Sequence, residues 1–200
     1  MNLNLKLTYA ILPGERFSIQ LADLLAEKGQ EVILHMPLEP ENYPEVNPGA
    51  YALLTNMSDK EIEYKVAELV KIIPNIKGAN IHMGSAFSAN EKSLAALIGA
   101  LSKTSLYFLD SRTSLDSKVV RVAAVYDYPV LKSNLFLDTE KEFNKIVEKL
   151  ELSKKIALRK GSCIAIGHIH SKELAKALAS VEDDFRNANI SFVTLSELLN

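Results

Sequence analysis

Three of the chain's four histidines stand where strand-like apolar runs end, and an imidazole so placed can ligate a metal or move a proton. His35 follows Glu31-Val32-Ile33-Leu34, His82 follows Gly78-Ala79-Asn80-Ile81, and His168 follows Cys163-Ile164-Ala165-Ile166-Gly167. His170 lies two residues further on, and Asp110 and Asp138 end two other runs in the same way. In a parallel α/β fold the C-terminal strand ends gather on one face, where such folds place metals and catalytic groups. His35, His82 and His168 are therefore expected on one face, within reach of one cleft. Imidazoles from different strands can converge on one divalent ion, with carboxylates adding ligands. Each histidine can also be a satisfied polar residue at a strand end. Its repetition at one structural position favours a site.

Further polar groups sit near these ends. Asp110-Ser111-Arg112-Thr113 follows a buried run. An arginine there can fork onto a carboxylate or phosphate, or pair with Asp110 to fix the loop. Asp138 can take part in chemistry or serve the N-terminus of the helix that follows. Gly84-Ser85 can offer backbone N–H groups to an anion, and Glu39 enters a proline-rich loop. Nucleophilic catalysis fits less well. Ser85 lacks a strand–elbow–helix context, and Cys163 lies inside an apolar run and reads as core. There is no phosphate-cradling glycine loop and no dinucleotide fingerprint.

The elements that must position these residues follow from size and pattern. Two hundred residues, 48% hydrophobic, with net charge −2, are expected to form a single domain over 1–200 with a full core. The balanced charge argues against nucleic acid as a partner, and no apolar run is long enough for a transmembrane segment. No secretory signal is visible, and one cysteine excludes an internal disulfide framework. Strand-like runs cover Leu5–Leu12, Glu31–His35, Ile76–His82, Leu106–Asp110, Val130–Asp138, Ser162–His168 and Ile190–Leu195. Several are apolar without alternation, as for strands buried on both faces. Capping boxes at Ser58, Ser88 and Thr139 open helices, the first stopping before Pro74 and the last at Gly161, and Ser171 caps another. This β/α alternation predicts a parallel sheet, open or closed into a barrel. Between His35 and Ser58 lie about twenty residues without helical pattern, holding four of the seven prolines. A loop so long, leaving the C-terminal end of a strand, suits an active-site wall or lid.

At these residues the chain resembles the divergent polysaccharide deacetylase family. The carrying motifs are Ala10-Ile11-Leu12-Pro13, His35-Met36-Pro37-Leu38-Glu39-Pro40, Asn80-Ile81-His82-Met83-Gly84-Ser85, Leu109-Asp110-Ser111-Arg112-Thr113-Ser114, Phe136-Leu137-Asp138 and Ile164-Ala165-Ile166-Gly167-His168. They occur in the family's order and span nearly the whole chain. The resemblance implies a distorted parallel (β/α) barrel of about seven strands. It also implies a hydrolase that removes acetyl groups from amino-sugar polysaccharides or oligosaccharides, with a divalent metal, zinc in related enzymes, as cofactor. By the same resemblance His82 is a metal ligand with His35 as the second imidazole, the position near Ala86 being unable to ligate. His168 is the general acid, and Arg112 orients a catalytic carboxylate, with Asp110 beside it. Glu39, Ser85, Asp138 and His170 fall to substrate binding, and the family's setting suggests a periplasmic or extracytoplasmic location.

The family opens on a strand carrying an Asp-Asp pair, whereas residues 1–12 here resemble its second strand. The sole Asp-Asp, Asp183-Asp184, is in the last helical stretch. The polypeptide is thus expected to lack the first strand and to be weak or inactive in hydrolysis, and either to pair with a second chain through the gap between Leu5–Leu12 and Ile190–Leu195 or to be less stable than a version with the strand restored. A catalytically degenerate relative that binds a glycan or a protein partner is the alternative. A barrel enzyme for phosphorylated substrates, using Gly167 and the Ser171 helix start, ranks below both.

Overall fold

The computed structural model describes residues 5–199. They fall into two compact units, one of Leu7–Lys132 joined by the segment from Thr194, the other of Ser133–Val193 joined by the segment up to Lys6. The first unit holds five parallel strands, β1 (Thr8–Ile11), β2 (Glu31–Leu38), β3 (Ile76–Met83), β4 (Tyr107–Asp110) and β5 (Val130–Lys132), in sequential order. Helices α1 (Ser18–Glu27), α2 (Asp59–Ile72), α3 (Ser85–Ala89), α4 (Glu91–Leu101) and α5 (Val119–Val125) make the crossovers. The strands' unbroken apolar runs are buried, as a parallel sheet covered by its crossovers requires. Leu34, Met36, Leu38, Ile81 and Phe108 form the core with Ile62, Val66 and Leu69 of α2 and Leu94, Leu97, Ile98 and Leu101 of α4. Those helical residues recur every three or four positions, which lays them along one face.

The second unit holds a parallel pair, β6 (Leu135–Phe136) and β7 (Ala165–Ile166), with helices α6 (Phe143–Lys160) and α7 (Leu174–Asn187). Helix α6 buries Ile146 and Leu150, and α7 buries Ala177, Leu178, Val181 and Phe185. Gly161 ends α6 in the left-handed conformation, its N–H bonded to the Ala157 carbonyl. The fold class is the parallel α/β one that the sequence predicts, with seven strands among the described residues, though not the same seven. No helix among the described residues is long and apolar enough to cross a membrane.

Several local expectations are corrected. The run Val130–Asp138 breaks into β5 and β6 around Ser133 and Asn134, whose polar groups turn to other partners: Asn134 Oδ1 accepts from the Ile164 N–H. Ile190–Leu195 is not a strand. Phe192 stacks on Phe185 of α7 at 5.3 Å, and the Leu195 N–H bonds to the Thr8 hydroxyl. Only Ser58 forms a capping box, donating and accepting with Glu61. Ser88 lies within α3, and Asn90 caps α4 instead. Thr139 precedes α6 by four residues, and Glu142 occupies its N-cap without a side-chain bond. Ser171 does not cap α7, and its buried hydroxyl has no hydrogen-bond partner among the described residues. Met1 to Asn4, which precede the expected strand Leu5–Leu12, lie outside the described residues.

The N-terminal ends of the strands are tied by one buried carboxylate. Glu31 Oε1 accepts from the Thr8 hydroxyl at 2.8 Å, the Tyr107 hydroxyl at 2.7 Å and the Ser196 N–H at 3.3 Å. Burial and the adjoining Glu31 charge push the Tyr107 phenol far above its usual range, so it stays a donor. Tyr107→Phe is expected to cost about 1.5–3 kcal/mol, the worth of a hydrogen bond to a charged group. Denaturant unfolding measures it, and a loss within error of zero would show that the phenol contributes nothing there.

Candidate functional site

In a strand, residues two apart share a face, and so do residues paired across a parallel ladder. His35 pairs with Asn80 and Pro37 pairs with His82, so His35, Asn80 and His82 project from one face of β2 and β3. Asn80 pairs with Leu109, which brings Ser111, two residues on, to the same side. The structure joins all four. His82 Nδ1 lies 3.0 Å from His35 Nε2, with the rings edge-on at 4.7 Å. His35 Nδ1 lies 2.8 Å from Asn80 Oδ1. Asn80 Nδ2 donates to Ser111 Oγ at 3.2 Å, and Ser111 Oγ donates to the Ile81 carbonyl at 3.0 Å. Asn80 and Ser111 are buried and both histidines half-buried. His35 is not at its strand's end as the sequence suggests. The ladder to β3 carries β2 on to Leu38, past His35 by three residues.

Next to this cluster, β3 and β4 both leave the sheet through non-glycine residues in the left-handed region, Met83 at φ 57° and Arg112 at φ 56°. Asp110 is buried and fixes the second of these turns: Oδ1 accepts from the Arg112 N–H at 2.8 Å, and Oδ2 from the Ser117 hydroxyl at 2.8 Å. The expected Asp110–Arg112 pair is thus a backbone contact. The Arg112 guanidinium is exposed, with no hydrogen bond or ion pair among the described residues. The long segment after β2 is fastened at both ends. Leu53 N–H bonds to the Pro37 carbonyl at 2.9 Å, and Glu39 N–H to the Leu53 carbonyl at 3.0 Å. The Glu39 carboxylate accepts from the Thr55 N–H, and the Ser85 hydroxyl from the Glu41 N–H at 2.9 Å. Glu39 and Ser85, expected at a substrate, are therefore engaged in holding this loop.

In the other unit Asp138 and His168 form a dyad. Asp138 Oδ2 accepts from the His168 backbone N–H at 2.7 Å, and Oδ1 lies 2.9 Å from its Nδ1. The Asp138 side chain is 2% exposed and the His168 side chain 47%. A carboxylate so placed keeps the proton on Nδ1 and leaves Nε2 as the outward nitrogen. The imidazole stacks on Phe136, with centroids 6.2 Å apart and planes within 5°, and His170 tilts against it at 5.4 Å. Cys163 lies before β7, half-buried, and burial raises its thiol's pKa.

His35 and His82 could each supply one ligand to a divalent ion if the hydrogen bond between His82 Nδ1 and His35 Nε2 were given up. Two nitrogens each about 2.0–2.1 Å from a tetrahedral ion stand roughly 3.3 Å apart, close to the observed 3.0 Å. The Asn80 oxygen on the far nitrogen of His35 is the outer partner that ligating histidines use. No group of three His, Cys, Asp or Glu side chains able to hold an ion occurs among the described residues.

The fold and the site define a parallel α/β protein with two histidines paired near the C-terminal ends of adjacent strands. The model of the divergent polysaccharide deacetylase family matches residues 1–199. The chain belongs to that family. Uncharacterized protein YibQ of Escherichia coli is 30% identical over 197 residues, 97% of this chain and 60% of that protein. An uncharacterized protein of Haemophilus influenzae is 28% identical over 178 residues, 89% of this chain and 63% of that one. The chain thus spans less than two thirds of the length of these curated relatives. The crystal structure of an uncharacterized protein from Agrobacterium tumefaciens superposes with a TM-score of 0.91 at 26% identity, covering 96% of this chain and 77% of that one.

Proposed function

We propose that the chain contributes to metal-dependent removal of acetyl groups from an amino-sugar polymer. The observation that carries this reading is the His35–His82 pair, two imidazole nitrogens 3.0 Å apart on one face of adjacent strands. His35 and His82 would hold the ion. When bound, it supplies Lewis acidity toward the acetyl carbonyl and toward water. His168 has the other property that amide cleavage needs. Its Nδ1 is committed to Asp138, so Nε2 is the nitrogen left for the general-acid role that the family resemblance implies. The exposed Arg112 guanidinium is available to orient a carboxylate.

The test is acetate release from acetylated amino-sugar oligomers with added zinc. His82→Ala is expected to remove detectable release and to weaken zinc binding by calorimetry. Full activity of His82→Ala would overturn the reading. Glycan binding by the unaltered chain without any acetate release, with zinc present, would assign the non-catalytic alternative.

A further inference from the structure

We propose that Asn80 and Ser111 are positioning residues that hold His35 in its Nδ1–H tautomer and so aim the Nε2 lone pair at His82. Nothing in the sequence pattern of the histidines requires this. It follows from a chain of hydrogen bonds with one fixed end. The Ile81 carbonyl can only accept, so the Ser111 hydroxyl spends its single hydrogen there. The Ser111 oxygen must then accept from Asn80, which turns the amide nitrogen toward Ser111 and the amide oxygen toward His35. That oxygen can only accept, so the facing Nδ1 carries the hydrogen. A neutral imidazole carries a single ring hydrogen, and it is already on Nδ1. Nε2 is therefore the lone-pair nitrogen, 3.0 Å from His82 Nδ1. A backbone carbonyl on β3 thus decides which nitrogen of a histidine on β2 is available. Free imidazole side chains favour the opposite tautomer, so the arrangement is imposed by the protein. Asn80 is 4% and Ser111 2% exposed, which keeps water from substituting for either partner.

The proposal rests on the metal-centre reading for its purpose, since the available Nε2 is the atom that would ligate. It does not rest on that reading for its geometry. The experiment is nitrogen-15 NMR of the histidine rings in the full chain, metal-free and in alkaline buffer, paired with zinc titration by calorimetry. The unaltered protein is expected to show His35 with the hydrogen on Nδ1. Asn80→Leu should return His35 to the Nε2–H form and weaken zinc binding about 10–100-fold, the usual cost of losing an outer partner of a metal-ligating histidine. Asn80→Asp, whose carboxylate still accepts from Nδ1, should keep the tautomer and rescue most of the affinity. Ser111→Ala should give a mixture of tautomers. A hydrogen on Nε2 in the unaltered protein overturns the proposal without any variant, so a misfolded Asn80→Leu does not remove the test. Equal zinc affinity for the unaltered protein and a folded Asn80→Leu would also overturn it, while leaving the deacetylase reading standing. The predicted tautomers with no zinc binding at all would do the reverse.

Discussion

Where the chain releases acetate, replacing His168 by alanine is expected to lower that release about 10²–10⁴-fold, the usual worth of a positioned general acid. The loss should fall on kcat, with KM little changed, because a proton delivered to a departing amine is an interaction of the transition state alone. Asp138→Asn should also reduce kcat, but less. The asparagine oxygen can replace only one of the two acceptor contacts that Asp138 makes to His168 Nδ1 and N–H. The other contact then sets an NH2 group against a donor, which shifts the ring or its hydrogen. Steady-state kinetics on acetylated amino-sugar oligomers with zinc separate these effects. A rise in KM at constant kcat for His168→Ala would make this histidine a binding residue.

Gly84→Ala is expected to destabilise the protein by about 2–5 kcal/mol, a large part of the roughly 5–15 kcal/mol that holds a domain folded. Two independent costs add. Gly84 has φ 70°, where a side chain costs roughly 1–2 kcal/mol. A Cβ there would also lie 2.6 Å from Ile81 Cγ2 and 2.9 Å from Leu38 Cβ, an overpacking worth about 1–3 kcal/mol. Neither neighbour can yield easily, since both side chains are buried in the core. Gly29→Ala is the control. Gly29 has the same φ, 70°, with nothing within 4 Å of the added Cβ, so it should lose the backbone cost only. Chemical denaturation of the two variants gives the steric cost by difference. Equal losses would show that the core gives way at Gly84.

Much of the sheet could be read from the chain because its strands are buried on both faces and so are written as unbroken apolar runs. The same signal misplaced two features. The run ending at Leu34 stops at a polar residue, yet β2 continues, since strand length here is set by the ladder to β3 and not by apolarity. Ile190–Leu195 is as apolar as a strand, but Phe192 stacks on Phe185 of α7 while Val193 is exposed. Capping patterns were legible only at Ser58, because Ser-x-x-Glu caps a helix only if the helix starts there, and that is decided by packing. Of the site, the histidines and Asp138 were visible by type. Asn80 and Ser111 lie within the quoted motifs without any mark of a positioning role. Asn80 could have been found as a polar residue in an apolar run, two positions before His82 and hence on its face. Ser111's role depends on the register of β4 against β3, which the sequence does not state.

The Glu31 carboxylate has a consequence for how the chain is made. Its partners come from β1, from β4 and from Ser196, and the Leu195 N–H meets Thr8 across a separation of 187 residues. The chain leaves the first unit at Lys132 and re-enters it at Thr194. A ribosome delivering the polypeptide from its N-terminus therefore presents all five strands of the sheet well before the segment that completes the shell around Glu31. Until then that carboxylate waits with its Ser196 partner still unsynthesised, and the whole of the second unit must be translated first. The first unit is thus the earlier to begin folding and the later to finish, with its closing contacts among the longest in sequence that the molecule makes.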